Sequence, residues 1–331
     1  MAEATIYDVA EKAGVSIATV SNAINRPELV KETTRRRVLT VIDQLGFVPK
    51  AEATVRARRS LGRIGVIAPF TTYPSFQLRL QGVIEALRGQ PYEIVIYDQE
   101  SLAVRQNYLA SLPISQRLDG LIVMSLPFDE QVAKRLLSRE LATVLVEFAR
   151  PGFSSVEIDD VQGGALAGEY LAAQGYTRCA FVGEEQSTPL VEVQAAQRLA
   201  GFRSALQQAG LDLPDAYIST APYGVEQARQ QAHALFSLPQ PPDGIFAHSD
   251  YQAIGVLKAA RDLGMRVPEN IAVVGFDDVE AADYVGLTTI RQPLLESGQV
   301  AVRLLLDHLI HPEGSAQRVI LPLHIVQRET A

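Results

Sequence analysis

Residues 5–14, TIYDVAEKAG, place Ile6, Val9, Ala10 and Ala13 at i, i+3, i+4 and i+7, which is one apolar face of a helix. Thr5 and Asp8 stand at its start as a capping-box-like pair, with Asp a shorter partner than the usual Glu. Gly14 stops the helix, as a residue that tolerates positive φ does. Ser16 then caps a second helix through Ile24. Val15, Val20 and Ile24 can face a core there, and Ile17, Ala18, Ser21 and Asn22 cannot face it at the same time. Gly14 and Val15 alone separate the two helices, a helix-turn-helix spacing. A third helix carries Val38, Val41, Ile42 and Leu45 on one face and ends at Gly46.

From Gly62 onward the pattern alternates between strand and helix. RIGVIAP, YEIVIYD, DGLIVMS and ATVLVEF have the continuous apolar character of buried parallel strands, each followed by a helical pattern. A second set follows in RCAFVG, AYIST, DGIFAHS and NIAVVGFDD. Two sets imply two α/β lobes, with the chain crossing between them after SSVEIDD and again after GLTTIRQP. The expected fold is a small all-α helix-turn-helix head joined by a hinge to a two-lobed α/β body with parallel sheets. The expected divisions are a head over 1–49, a linker over 50–61 and a body over 62–331. Its first lobe spans about 62–160 and 293–323, its second about 161–290 and 324–331.

Composition narrows the class. The chain has 331 residues, 47% apolar and 21% charged, which suits two or three soluble domains with sizeable cores. No stretch reaches the roughly 20 apolar residues a membrane helix needs. Glu3, Asp8, Glu11 and Lys12 near the start are unlike a secretion signal, so a cytoplasmic protein is expected. The lone Cys179, inside an apolar strand pattern, forms no internal disulfide and suits a reducing compartment. The net charge of −8 conceals an asymmetry. Residues 1–60 hold ten Lys and Arg against seven Asp and Glu, leaving 20 against 31 for the remainder. A basic head on an acidic body suggests that only the head meets a polyanion.

The second helix has the chemistry for that meeting. Side chains entering a major groove must be short enough to let the helix dock and polar enough to reach base edges. Asn22 can pair with an adenine, Thr19 and Ser21 can reach bases or phosphates, and Ile17 and Ala18 can touch thymine methyls. Thr33, Thr34, Arg35 and Arg36, at the start of the third helix, are placed for phosphate contacts. The linker KAEATVRARRSLGR carries Lys50, Arg56, Arg58, Arg59 and Arg63 against Glu52 alone.

TIYDVAEKAGVSIATVSNAIN, TRRRVLTVIDQLGFVPK and RRSLGRIGVI resemble the DNA-binding head and linker of the LacI/GalR family of bacterial transcription regulators, and the similarity continues to the C-terminus. The resemblance implies a ligand-responsive regulator, a repressor, acting as a homodimer on a pseudo-palindromic operator. It implies a periplasmic-binding-protein-like body that holds a small molecule, a sugar or sugar derivative, in the cleft between its lobes. The implied DNA-contacting set is Thr5, Ile17, Ala18, Thr19, Ser21, Asn22, Asn25, Thr34, Val55 and Arg56. The linker resembles a hinge helix that enters the minor groove, usually with a leucine wedge. Here Arg56 stands at the wedge position, Lys50 replaces the usual asparagine after Pro49, and Val55 is the nearest apolar alternative.

The implied effector set is Phe70, Tyr73, Phe76, Ser125 and Glu147 from the first lobe and Arg198, Tyr223, Asp250, Phe276 and Asp277 from the second. Arg198 would grip hydroxyls or a carboxylate with its planar fork of donors. Asp277 would accept hydroxyl hydrogens, and Tyr223 would stack on a sugar face. Ser249 replaces the asparagine that usually precedes Asp250 in the family. The chain ends at HIVQRETA with no further heptad segment, so the tetramerising coiled coil of some relatives is not expected.

Two rival classes are weaker. A solute-binding protein would share the body but leave residues 1–60 unexplained. An enzyme would need a nucleophile–base pair or a metal cluster. HSD at 248–250 places Ser, His and Asp adjacent in sequence, whereas triad partners converge from separate segments. Apart from His308 and His311 near a helix end, the five histidines lack metal spacing with Cys or acidic partners, and there is no phosphate-binding glycine loop, so no cofactor and no metal are expected.

Overall fold

The computed structural model describes residues 4–47, 62–68, 73–97, 102–115, 117–185 and 189–331. The head is built from α1 (Ile6–Ala13), α2 (Ile17–Asn25) and α3 (Glu32–Leu45). Each begins or ends where local chemistry sets the boundary. Thr5 and Asp8 form a reciprocal capping box on α1, and Ser16 caps α2 by accepting from the Thr19 amide. Gly14 and Gly46 terminate α1 and α3 with φ of 62°, a left-handed conformation open to glycine at little cost. Val9, Val20, Ala23, Val38 and Ile42 are wholly buried and form the core of the bundle.

The body contains two six-stranded sheets. The first has the order β11-β5-β4-β3-β1-β2, from strands β1 (Gly62–Ile67), β2 (Tyr92–Tyr97), β3 (Gly120–Met124), β4 (Ala142–Val146), β5 (Ser154–Glu157) and β11 (Arg318–Ile320). The second has the order β12-β10-β9-β8-β6-β7, from β6 (Cys179–Glu184), β7 (Ile218–Ala221), β8 (Gly244–Ala247), β9 (Ala272–Asp277), β10 (Thr288–Arg291) and β12 (His324–Val326). β1, β2, β3, β4 and β5 pair in parallel, as do β10, β9, β8, β6 and β7, and β12 adds antiparallel to β10. The crossovers are helical: α4 (Pro74–Leu87), α5 (Leu102–Ser115) and α6 (Glu130–Ser138), then α7 (Asp160–Ala173), α8 (Pro189–Gln208), α9 (Val225–Phe236), α10 (Asp250–Asp262) and the short α11 (Glu280–Tyr284), with α12 (Leu294–Ile310) near the end. Burial on both faces explains why β3, β4, β6, β8 and β9 are almost uniformly apolar.

The chain divides into two compact units, one of Met1–Val156 with Leu295–Val319 and one of Glu157–Leu294 with Ile320–Ala331. The crossings therefore fall a few residues before, after and before the positions 160, 293 and 323 given by the strand patterns. In the first unit the head packs on the body: Ile114 of α5 joins the head core, Asp43 pairs with Arg135 of α6 at 2.8 Å, and Arg117 donates to Asn25. In the second unit Phe181, Phe202, Phe246 and Phe276 form a chain of ring contacts with centroids 5.2 to 6.4 Å apart. There α7 and α8 pack through glycines. A Cβ on Gly164 would collide with the carbonyl of Arg198, and one on Gly201 with the carbonyl of Val161.

Candidate DNA-reading helix and candidate effector site

Because Ser16 fixes the start of α2, the outward residues of that helix are fixed with it. Ile17 is 40% exposed, Ala18 is exposed, and Thr19, Ser21 and Asn22 are half-buried. Thr34 of α3 lines a shallow hollow with Ser16, Thr19 and Asn22. The face so formed carries small hydrogen-bonding groups from α2, and Lys31 and Arg37 line the same hollow. Asn25 is already committed, donating to Ser21 Oγ at 3.4 Å and accepting from Arg117. Thr5 spends its hydroxyl on Asp8 Oδ2 at 2.7 Å, and the Thr5 side-chain and backbone bonds hold the Asp8 carboxyl below its ordinary range. Arg35 departs from the expectation of a phosphate contact. It lies one turn before Val38 on the inward face and is buried, so its fork is not presented outward, and burial lowers its pKa. Val55 and Arg56 lie outside the described residues.

The candidate effector residues of the first unit gather at strand ends. Ser125 follows β3 and Glu147 follows β4, both with non-glycine left-handed backbones, φ 47° and 74°. Asp277 and Asp278, at the end of β9, share this feature with φ 117° and 60°. Such conformations cost about 1–3 kcal/mol each and persist where the surroundings over-determine them, often at binding sites. Glu147 is ion-paired with Arg79, both buried, and Arg79 lies 5.5 Å above the Phe76 ring. Tyr73 caps α4 and meets Phe76 edge-on at 6.5 Å. The Ser125 hydroxyl is buried with no partner among the described residues. Phe70 lies outside the described residues.

In the second unit the carboxyl ends of parallel strands form a row. Pairing of β9 with β8 and of β8 with β6 sets Asp277, His248 and Glu184 on successive strands. Ligands of open α/β sheets bind beyond such ends. Arg198 of α8 dominates the row. Its Nε donates to Asp160 Oδ1 at 2.7 Å, its Nη1 donates to the His248 carbonyl at 2.8 Å, and its guanidinium lies 3.6 Å from the Phe276 ring centroid. Phe276 is wholly buried beneath it. Asp277 accepts from Gln292, and Tyr223 precedes α9, half-buried.

Asp250 occupies a different situation from that expected of a ligand contact. It is fully buried, Oδ1 accepts from Thr289 at 2.5 Å, and Oδ2 accepts from the Val279 amide at 2.8 Å. Burial, and then the neighbouring Asp277 charge, push its pKa well upward. This geometry makes Asp250 a brace for the loop after β9. Ser249 spends its hydroxyl on the cap of α10 and on Gln252.

Two residues absent from the sequence expectations belong to this row. Asp160, at the first turn of α7, neutralises Arg198. His248 is buried, its Nδ1 has no partner among the described residues, and burial and then the Arg198 charge lower its pKa well below 6.5. The glycine spacing in DVQGGALAGEY was a signal for Asp160, since small residues one turn apart let two helices meet closely. Among the described residues no group of histidine, cysteine and acidic side chains could hold a metal, and no helix is long and apolar enough to cross a membrane.

Comparison with known proteins places this geometry. Residues 5–50 match the family model described as bacterial regulatory proteins, lacI family, and residues 168–331 match the periplasmic binding protein-like domain. The ribose operon repressor of Escherichia coli (strain K12) is 32% identical over 99% of this chain and 100% of its own length. A transcriptional repressor, PurR, of Photorhabdus laumondii subsp. laumondii is 30% identical over 99% of this chain and 96% of its own. Among solved structures, the transcriptional regulator CelR–cellobiose complex superposes with a TM-score of 0.73 at 27% identity, covering 99% of this chain and 100% of that one. A LacI family regulator from Enterococcus faecium with bound ribose gives 0.71 at 27% identity, covering 81% and 98%.

Proposed function

The chain belongs to the LacI family of bacterial transcriptional repressors, and from that premise we propose that it is an effector-controlled repressor whose effector is a sugar or sugar derivative bound at the strand ends around Arg198. α2 reads operator bases with Ile17, Ala18, Thr19, Ser21 and Asn22, and Thr34 contacts phosphate. Two heads engage a pseudo-palindrome, so the active form is a homodimer in the cytoplasm. Binding of effector and of operator are coupled, each changing the affinity for the other by the same factor.

The observation that carries the effector reading is the Arg198 guanidinium, held in one plane by Asp160, the His248 carbonyl and the Phe276 ring. A fork so fixed presents its remaining N–H groups without further ordering cost. Asp277 supplies an acceptor beside it. Tyr73, Phe76, Ser125 and Glu147 are the first unit's candidates, and Tyr223 is the candidate sugar-stacking ring. Asp250 takes the bracing role described above. The deciding experiment is a thermal-shift screen of the full chain against sugars, sugar phosphates and nucleobases, with Arg198→Ala beside it. A ligand that binds the native state raises the melting temperature with concentration. A hit lost in Arg198→Ala supports the site, and one retained removes Arg198 from it. The DNA half is tested by selecting bound sequences from a random duplex pool: recovery of a two-fold symmetric site is expected, and no enrichment would defeat the reading.

A further inference from the structure

We propose that the strand-end row of the second unit takes an uncharged, hydroxyl-rich molecule, rejects its phosphorylated or carboxylated counterpart, and uses His248 as a residue that determines this specificity. The inference rests on the effector reading of the Arg198 site and narrows it.

The charge argument starts with the arginines at these strand ends. Arg198 is paired with Asp160 at 2.7 Å, and both side chains are about 5% exposed. Arg291 is paired with Asp278, and Arg328 with Asp278 at 2.7 Å and Asp283 at 3.1 Å. Each cation that could meet an anionic ligand already has its carboxylate. Asp277 at the end of β9 and Glu184 at the end of β6 add acidic groups to the same row. An incoming phosphate would desolvate against these carboxylates with no uncommitted arginine to repay it.

At two helix starts of this unit, those of α7 and α10, the second usual source of anion binding is also closed. Amide groups at helix N-termini attract phosphate when they are free. On α7, Asp159 accepts from the Gln162 amide at 2.9 Å and Asp160 sits in the first turn. On α10, the Ser249 hydroxyl caps the Gln252 amide at 3.3 Å and Asp250 follows. Both helix starts carry side-chain acceptors and a carboxylate, so their dipoles are already complemented.

Neutral donors and acceptors remain. His248 lies mid-row between the ends of β9 and β6, 5% exposed, with Nδ1 lacking a partner among the described residues. Buried polar atoms are nearly always satisfied. An uncharged imidazole offers one donor and one acceptor, which suits a hydroxyl that can act as either. Gln194 of α8 is buried nearby in sequence to Arg198, and its Nε2 likewise lacks a partner among the described residues. A neutral imidazole beside a charge-balanced Arg–Asp pair matches a polyol surface better than a phosphate.

The test is calorimetric titration of the full chain with uncharged aldopentoses, aldohexoses and alditols, each set against its monophosphate or aldonate. The expected result is an uncharged ligand that binds while its anionic counterpart is at least tenfold weaker. With that ligand, His248→Ala should weaken binding about five- to tenfold, the worth of one neutral hydrogen bond. The unliganded His248→Ala protein should melt close to wild type, and His248→Asn, which keeps a donor and an acceptor, should recover part of the loss. Equal or tighter binding of the anion overturns the charge argument and leaves the effector reading standing. Unchanged affinity in His248→Ala overturns the specificity role. If neither class binds, the effector reading fails and this inference falls with it.

Discussion

Removing Asp160 isolates the charge of Arg198, and the structure sets the size of the effect. The pair is 2.7 Å apart, with 5% and 6% of the two side chains exposed. Deleting one partner of a buried ion pair costs about 3–5 kcal/mol, because the other charge stays buried without compensation. Arg198 keeps its bond to the His248 carbonyl and its seat on Phe276, which favours the lower end, about 3 kcal/mol. The second unit holds about 150 residues, a size at which each kcal/mol moves the melting temperature by roughly 2–4 °C. Asp160→Ala should therefore lower the melting of that unit by about 6–12 °C. Differential scanning calorimetry of the full chain is the assay, since it resolves transitions of separate units. The control is Asp160→Leu with Arg198→Met. It removes both charges and should melt above Asp160→Ala, as replacing a buried pair by apolar groups is often neutral or stabilising. A drop of less than about 2 °C for Asp160→Ala, or a double variant less stable than the single one, would refute the argument that Asp160 is what permits a buried arginine here.

Other predictions follow from single groups. Asn22→Ala should weaken binding to a selected operator by about 1–3 kcal/mol and relax preference at one base pair in each half-site, by fluorescence anisotropy at fixed salt; uniform weakening over all sequences would place Asn22 on the backbone. Burial raises the Cys179 thiol to about 12, so a disulfide reagent at pH 8 should leave it unmodified in the native chain and label it fully in denaturant. His248 is held uncharged by burial and by Arg198, whereas in the unfolded chain it titrates near 6.5. The unfolded state then binds the extra proton, so stability should fall as pH drops below 6.5, by about 1.4 kcal/mol per pH unit until the folded group protonates. His248→Asn should flatten that slope between pH 6.5 and 5, and an unchanged slope would assign it elsewhere.

The elements that sequence pattern specifies best are those governed by local chemistry. The Thr5–Asp8 box, the Ser16 cap and the stops at Gly14 and Gly46 are contacts within a few residues, so their spacing announces them. The strands were legible because burial on both faces leaves unbroken apolar runs. Arg35 was not, since a charge at the start of a basic helix looks outward until the fold shows which face is covered. The site was legible only in part. Arg198 and Asp277 were named from the resemblance, but Asp160 is 38 positions from Arg198 and meets it through tertiary packing. The burial of Asp250 and of His248 depends equally on neighbours distant in sequence. So does the engagement of Asn25 by Arg117, 92 positions away.

The glycine contact between α7 and α8 separates what this architecture must keep from what it can change. Gly164 and Gly201 each rest against the partner helix's carbonyl, where even one methyl group has no room. That contact sets the distance from Asp160 to Arg198, so the anchor of the site is defined by backbone proximity, which side-chain variation cannot tune gradually. His248 sits on the same unit after β8, outside that helix pair. A designer working on the proposed site can therefore treat the helix pair as fixed hardware and vary His248, and a library that also randomised Gly164 or Gly201 would be filled with misassembled lobes.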